Sequence, residues 1–414
     1  MTSSNPERTP APARTPRDER GNGAGVAGAA ALAIEYAEQL VLGAVRDVHQ
    51  AVADRVFATT DCATGGSSRL PRQVHDGVSA AIYGGLGAAM TGGVTALRKV
   101  DRRGVGPRLE QGPVGRHLVS AVNGLIGDRL SEERPELAIE MAVRCDGRDV
   151  MLDPDALAAA FPDATGDLVV FLHGLGENDD SWNLRRAERG GTYGSRLRKE
   201  TSWTPLFLRA NTGLPIAENG AALSALLDRL VVAWPTRVRR IALVGHSMGG
   251  LIMRAACAVA PEGIGSTDPW TDRVSDVVTL GTPHLGAPLE RVVHAGSRVL
   301  GILPESAPFG RILEYRSVGI LDLRRGLAGD VRHLPHARYH LVAATLTGSR
   351  RHPVSEVFGD LLVRYSSAVA TPRRGSAMFP DADILHVPGT DHFGLLNHPD
   401  VYTALKGWLG DTET

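Results

Sequence analysis

Short apolar runs, each ended by a glycine-rich or polar break, recur from about residue 137 onward and alternate with helically spaced stretches. Leu168 to Leu172 lies between Gly166-Asp167 and His173-Gly174-Leu175-Gly176 and reads as a strand buried on both faces. Pro205 to Ala210, Ile241 to Val244, Val277 to Leu280, Tyr339 to Thr345 and Ile384 to Val387 read as further strands. Leu223, Leu226, Leu227, Leu230, Val231 and Trp234 fall on one helical face, which Pro235 closes. Leu251 to Ala256 is helix-compatible, and a last amphipathic helix runs through Val401, Leu405, Trp408 and Leu409 with Asp400 as its cap. Leu137 to Val143 alternates toward Asp146-Gly147, and Val150-Met151-Leu152 follows, which predicts an antiparallel opening hairpin. Strands alternating with such helices predict an α/β fold with a mostly parallel, doubly wound sheet. Residues 288–337 are longer than one crossover helix needs and predict a cap or lid insertion.

Upstream the pattern changes. Residues 1–25 are rich in proline and arginine, poor in apolar side chains, and predict a disordered tail; they lack the order of a signal peptide. Residues 26–135 predict a helical accessory region. Within it Val48-His49, Val52 and Val56-Phe57 match Val74-His75, Val78 and Ile82-Tyr83, a degenerate helix repeat. Gly77 to Leu97 carries no charge but is too rich in glycine and alanine to be strongly hydrophobic, so a packed helix is the first expectation. Peripheral membrane contact through residues 26–100 is kept as an expectation beside it. The remainder, 136–414, is assigned to one α/β domain.

The chemistry concentrates where these elements end. The strand from Ile241 runs into Gly245-His246-Ser247-Met248-Gly249, and a helix follows at once, which is the context of a nucleophile elbow. A serine hydroxyl needs a base, and the base an orienting acid. In an elbow architecture both follow the serine, acid first. His392, on the loop after the last strand, has the best setting for the base; His386 lies within that strand and His398 beside the closing helix. For the acid, Asp360 ranks first, ahead of Asp381, Asp383 and Asp391, because it follows the Tyr339 strand. Backbone N–H groups of Leu175 and Met248 are the candidate oxyanion donors.

Taken together, His173-Gly174-Leu175-Gly176, Gly245-His246-Ser247-Met248-Gly249-Gly250, Gly281-Thr282-Pro283-His284-Leu285-Gly286 and Gly359-Asp360 with Ser366-Ser367-Ala368 resemble the motifs of α/β-hydrolase lipases and esterases. The branch is the one with bacterial triacylglycerol lipases and GPI-inositol-deacylase-like hydrolases, and the resemblance covers roughly residues 137–410. It implies an α/β-hydrolase fold and ester hydrolysis through Ser247, His392 and Asp360. One departure stands out: Leu361 occupies a position where that branch has a second glycine after the aspartate. His284 precedes every candidate acid and is expected to be structural.

Composition adds exclusions. A formal charge of −1 gives no electrostatic case for nucleic acid. Three cysteines cannot build a disulfide framework, so a reducing, cytoplasmic setting, with membrane-peripheral placement beside it, is expected. No metal-ligand spacing and no phosphate-cradling loop is present, so neither a metal nor a cofactor is expected. The expected reaction is hydrolysis of carboxylic esters, acyl lipids first; acyl transfer by the same residues and a non-catalytic scaffold are the alternatives.

Overall fold

Among the described residues eight strands form one sheet, and only the second-position strand runs against the others. The computed structural model describes residues 112–259, 269–287, 317–327 and most of 331–410, with scattered positions between 72 and 99. The tail 1–25, nearly all of the helix repeat and residues 288–316 of the expected lid lie outside the described residues.

The first described long element is helix α1, Pro113–Glu133, which opens with proline in its first turn. Strands β1, Ala142–Cys145, and β2, Arg148–Val150, form the expected hairpin, turned by Asp146 and Gly147 with φ of 48° and 74°. Helix α2, Pro154–Ala160, is capped by Asp153, which accepts from Ala156 N–H. Then come β3, Asp167–Leu172; helix α3, Tyr193–Glu200, opened by a Thr192/Ser195 capping box; and β4, Trp203–Arg209. Helix α4, Ile216–Ala233, leads to β5, Arg240–His246, then α5, Met248–Val259, and β6, Val274–Leu280. Helix α6, Val318–Arg325, strand β7, Arg338–Thr345, the short α7, Tyr365–Ala368, strand β8, Asp383–Pro388, and α8, Pro399–Trp408, complete the chain.

The strand order is β2-β1-β4-β3-β5-β6-β7-β8, parallel from β4 to β8. Pleating divides each central strand between two cores. Leu168, Val170 and Leu172 of β3 pack with Leu223 and Leu227 of α4 and Leu251 of α5. Val169 and Phe171 face the opposite side, toward Tyr193 and Leu197 of α3 and Tyr402 and Leu405 of α8. Each such buried aliphatic side chain contributes about 1.5–3 kcal/mol, which is why runs without polar residues are required here.

Two local expectations change. Leu137 to Met141 is not strand: Leu137 and Ala138 pack against Ile126 and Leu130 of α1, and Ile139 N–H donates to Asn123 Oδ1 at 2.9 Å. The cap of α8 is His398 and not Asp400: His398 Nδ1 accepts from Asp400 N–H at 3.3 Å, and Pro399 presets the first turn, so the helix starts two residues earlier.

The chain lays β4 on one side of β3 and then returns to lay β5 on the other. That reversal opens a crevice at the carboxyl ends of β3 and β5, the usual place for a ligand in such sheets.

Candidate active site

Ser247 stands at the end of β5, over that crevice, with φ of 53°. This left-handed conformation is costly for a residue with a side chain, and the surroundings enforce it. A Cβ on Gly245 would lie 2.5 Å from Gly250 N, and one on Gly249 2.4 Å from Leu172 O, so strand and helix approach as closely as backbone allows. Ser247 N–H donates to Leu280 O at 2.8 Å, pinning the turn to β6, and the side chain stays partly exposed. The N–H of Met248 is the first of α5 and has no carbonyl within the helix to receive it.

The turn after β3 faces this serine. A Cβ on Gly174 would lie 3.0 Å from Ser247 Cβ. The amides flanking Leu175 are engaged: Gly174 N–H donates to Glu177 Oε2 at 2.9 Å and Gly176 N–H to Thr212 Oγ1 at 2.9 Å. His173 is buried beneath, and its Nε2 accepts from Ala210 N–H at 3.1 Å, so the proton sits on Nδ1, 2.9 Å from Gly174 O. Burial pushes its pKa below the ordinary value, in keeping with a neutral ring.

Strands β7 and β8 bring two distant loops together. Thr345 pairs with Pro388 at their ends, and the Thr390 N–H then donates to Thr345 O at 2.9 Å. Across this junction His392 Nδ1 meets Asp360 Oδ2 at 2.8 Å, and His392 N–H donates to Asp360 O at 3.0 Å. Asp360 Oδ1 accepts from Leu362 N–H (3.0 Å) and Val363 N–H (2.8 Å), so the carboxylate is held before it meets the ring. Both side chains are buried, and among the described residues the His392 Nε2 atom has no hydrogen-bond partner. Gly281, at φ of 59°, lies under the ring: a Cβ there would be 3.1 Å from His392 Nδ1.

The remaining sequence candidates have other work. Asp391 Oδ1 accepts from Gly394 N–H at 2.7 Å and caps a single turn, His392–Leu395. Asp383 is 2.9 Å from His340 Nδ1, at the opposite end of β8. His386 bonds Thr345 Oγ1 at 2.8 Å. His284 is buried between Arg254 Nη1 (3.3 Å) and Thr279 Oγ1 (3.2 Å). Ser367 Oγ accepts from Leu285 N–H and donates to Gly286 O, tying the Ser366-Ser367-Ala368 stretch to the Gly281 turn.

Sequence reasoning gives no role to Glu177 or to His246, although His246 lies inside the Gly245–Gly249 motif. His246 is wholly buried, 3.0 Å by Nδ1 from the Glu177 carboxylate, 3.3 Å by Nε2 from His392 O, and ring to ring 4.7 Å from His392. A carboxylate just past a glycine-rich turn was the only available signal. An open cleft of about 790 Å³ adjoins this group, bounded by Arg116 and His117 of α1, Glu177, Leu184 and the exposed Phe393.

Comparison with known proteins adds the following. A model of the alpha/beta hydrolase family matches residues 169–405, more than half of the chain. A triacylglycerol lipase of Burkholderia plantarii is 28% identical over 155 residues, which cover 36% of this chain and 39% of that lipase. The match thus spans well under half of its length. Among solved structures, the mature Bacillus licheniformis lipase is 20% identical with a TM-score of 0.37, covering 58% of this chain and 90% of that one. The Staphylococcus hyicus lipase is 12% identical with a TM-score of 0.38, covering 59% and 94%.

Proposed function

The chain belongs to the alpha/beta hydrolase family, and from that premise we propose that it is a serine hydrolase of carboxylic esters, acyl lipids in the first place. The observation that carries this reading is the buried contact of His392 with Asp360 at 2.8 Å, beside Ser247 held at φ of 53° between β5 and α5.

In this reading Ser247 Oγ attacks the acyl carbonyl carbon while His392 Nε2 takes its proton. Asp360 holds Nδ1–H, which fixes the tautomer and stabilises the imidazolium that forms. Negative charge developing on the carbonyl oxygen meets the N–H groups of Met248 and Leu175, each worth about 3 kcal/mol to the transition state. His392 then returns the proton to the leaving alkoxide, and the acyl group remains on Ser247. Water, deprotonated by the same Nε2, releases the acid. The acyl-lipid part of the reading is supported by the 155-residue stretch that is 28% identical to a triacylglycerol lipase.

Replacing Ser247 by alanine tests the reading. Alanine keeps the backbone turn and removes only the nucleophile, so thermal unfolding should be unchanged and turnover of a p-nitrophenyl ester should fall at least about a thousandfold. Turnover at the unmodified rate in the purified variant would overturn the assignment.

A further inference from the structure

The two nitrogens of His246 face acceptors that carry no hydrogen. Nδ1 lies 3.0 Å from the Glu177 carboxylate and Nε2 3.3 Å from the main-chain oxygen of His392. With the Glu177 carboxyl ionised, as the Gly174 N–H that it accepts favours, neither contact forms unless the ring supplies the proton, so the two together place a proton on each nitrogen. His173, at the end of the neighbouring strand β3, makes the contrast: its Nε2 faces the Ala210 N–H and must be bare.

We propose that Glu177 and His246 form a buried ion pair that positions the reacting groups for ester hydrolysis, joining the Gly174 turn, the serine elbow and the His392 loop. The pair rests on the hydrolase reading above and deepens it. Glu177 Oε2 also receives the Gly174 N–H at 2.9 Å, and Gly174 is the residue whose Cα lies against the Ser247 side chain. Through Glu177 the charge on His246 fixes the turn that carries the Leu175 amide. Through Nε2 it holds the backbone of His392 itself. One ring therefore sets the distance between oxyanion donor and general base, two groups borne on different strands.

The groups facing His246 agree with a fixed charge. From the turn after β3 it meets the Glu177 carboxylate, and from the loop after β7 the Asp360 carboxylate acts on it through space. The His392 ring lies at 4.7 Å, Phe393 at 6.1 Å and Trp182 at 6.4 Å from the His246 ring, which is wholly buried among them, while Glu177 reaches the wall of the cleft. Burial pushes the His246 pKa down, but the Glu177 charge and its hydrogen bond outweigh it and raise the value above 6.5. Burial likewise works to raise the Glu177 pKa, and the neighbouring imidazolium overrides it, leaving the carboxyl at about 2. A contact that orients donors used only in the transition state affects kcat more than KM.

The whole chain, labelled with ¹⁵N in its histidines, provides the first arm of the test. At pH 8, where an ordinary imidazole near pKa 6.5 is neutral, His246 should show two protonated ring nitrogens, its resonances identified by their loss in His246→Phe. A neutral tautomer in the wild-type protein would overturn the proposal, whatever the enzyme does. The second arm is kinetic. Glu177→Gln keeps an acceptor for Gly174 but lacks the charge, and should lower kcat by about tenfold to a hundredfold with KM within about twofold. His246→Phe should do the same, and the double variant should be no slower than the slower single one, because both remove one unit. Glu177→Asp, which retains charge, should recover part of the rate. Wild-type kcat in both single variants, or losses that simply add, would overturn it. Neither result touches the Ser247→Ala test, so failure of the pair and failure of the hydrolase reading remain distinguishable.

Discussion

Asp391 adjoins His392 in the chain, yet its carboxylate is turned to the Gly394 N–H, while Asp360 arrives from another loop to meet the ring. Two carboxylates with such different partners should respond differently to loss of charge. Asp360→Asn presents an amide where Nδ1–H needs an acceptor, favours the wrong tautomer, and is expected to lower kcat by about three to four orders of magnitude. Asp391→Asn keeps a capping oxygen and is expected to stay within about threefold of wild type. Measuring kcat/KM of both under one set of conditions decides the matter; a more damaging Asp391 change would reverse the assignment. Leu361 shows what the missing second glycine means. It occupies the glycine-like turn anyway, at φ of 89° with its side chain mostly in solvent. Strain of this kind costs about 1–3 kcal/mol, more than the extra chain entropy of glycine, about 0.5–1 kcal/mol. Leu361→Gly should therefore raise the midpoint of thermal unfolding by a few degrees with activity retained; a lower midpoint would show that the turn is unstrained.

Among the elements, helix α1 departs most from what periodicity suggested. It falls within the stretch read as an accessory region, yet it lies against the α/β domain through small residues and side-chain amides. A Cβ on Gly127 would lie 1.9 Å from Asn211 Oδ1, and one on Gly124 2.8 Å from Gly176 Cα. Asn123 satisfies Leu137 O and Ile139 N–H, Asn178 Nδ2 bonds Ser120 Oγ, and Ser317 Oγ donates to Gly124 O at the start of α6. A helix that docks through its backbone has no strong apolar stripe to reveal it. Removing residues 1–111 should leave a soluble protein that hydrolyses a short ester at the full rate. Beginning at Glu133 instead uncovers Leu137 and Ala138, strips the Asn123 partner from Ile139, and leaves the Gly174–Gly176 turn without its neighbour. That shorter chain should aggregate or unfold many degrees lower. Soluble yield and p-nitrophenyl ester turnover of the two truncations check the boundary; an active chain starting at 133 would make α1 dispensable.

For the molecule as a whole, the buried titrating groups set a pH window. Burial acts against the charged form of Asp276, but the hydrogen bonds of His340 and Arg338 prevail and lower its pKa below 3.8. Glu177, ordinarily at 4.5, falls to about 2. Carboxyls with depressed folded values contribute stability above their unfolded values and lose it as pH falls through the folded ones. His173 and His284 act in the same direction: burial lowers both, so below 6.5 the unfolded chain takes up protons that the folded one refuses. His246 opposes them, since its raised value adds stability that is full below 6.5 and fades as pH climbs through it. The unfolding midpoint should accordingly be highest near neutral pH, decline below about pH 6 and steepen below about pH 4.5, with a shallower fall on the alkaline side. Calorimetry or circular dichroism across pH 4–9 checks this; a midpoint still rising toward pH 4.5 would contradict the sign. Among the described residues no helix is long and apolar enough to cross a membrane.

What the sequence determined by itself is whatever short-range physics dictates. Glycines at 245 and 249 permit one tight turn, apolar runs such as Leu168 to Leu172 require burial on both faces, and the order of strand ends along the chain follows from these. Hence the tight turn at Ser247, the parallel sheet and the loop bearing His392 are legible in the sequence. Tertiary structure alone decided which carboxylate meets His392, because that distance depends on β7 and β8 lying side by side at the sheet edge. It decided the docking of α1, where close backbone approaches at Gly124 and Gly127 and the Asn123 amide, which leave no periodic trace, add to the small Ile126–Leu130 apolar contact. It decided the charge of His246 as well: a histidine's protonation follows from what faces its two nitrogens, and those partners are 69 and 146 residues away along the chain.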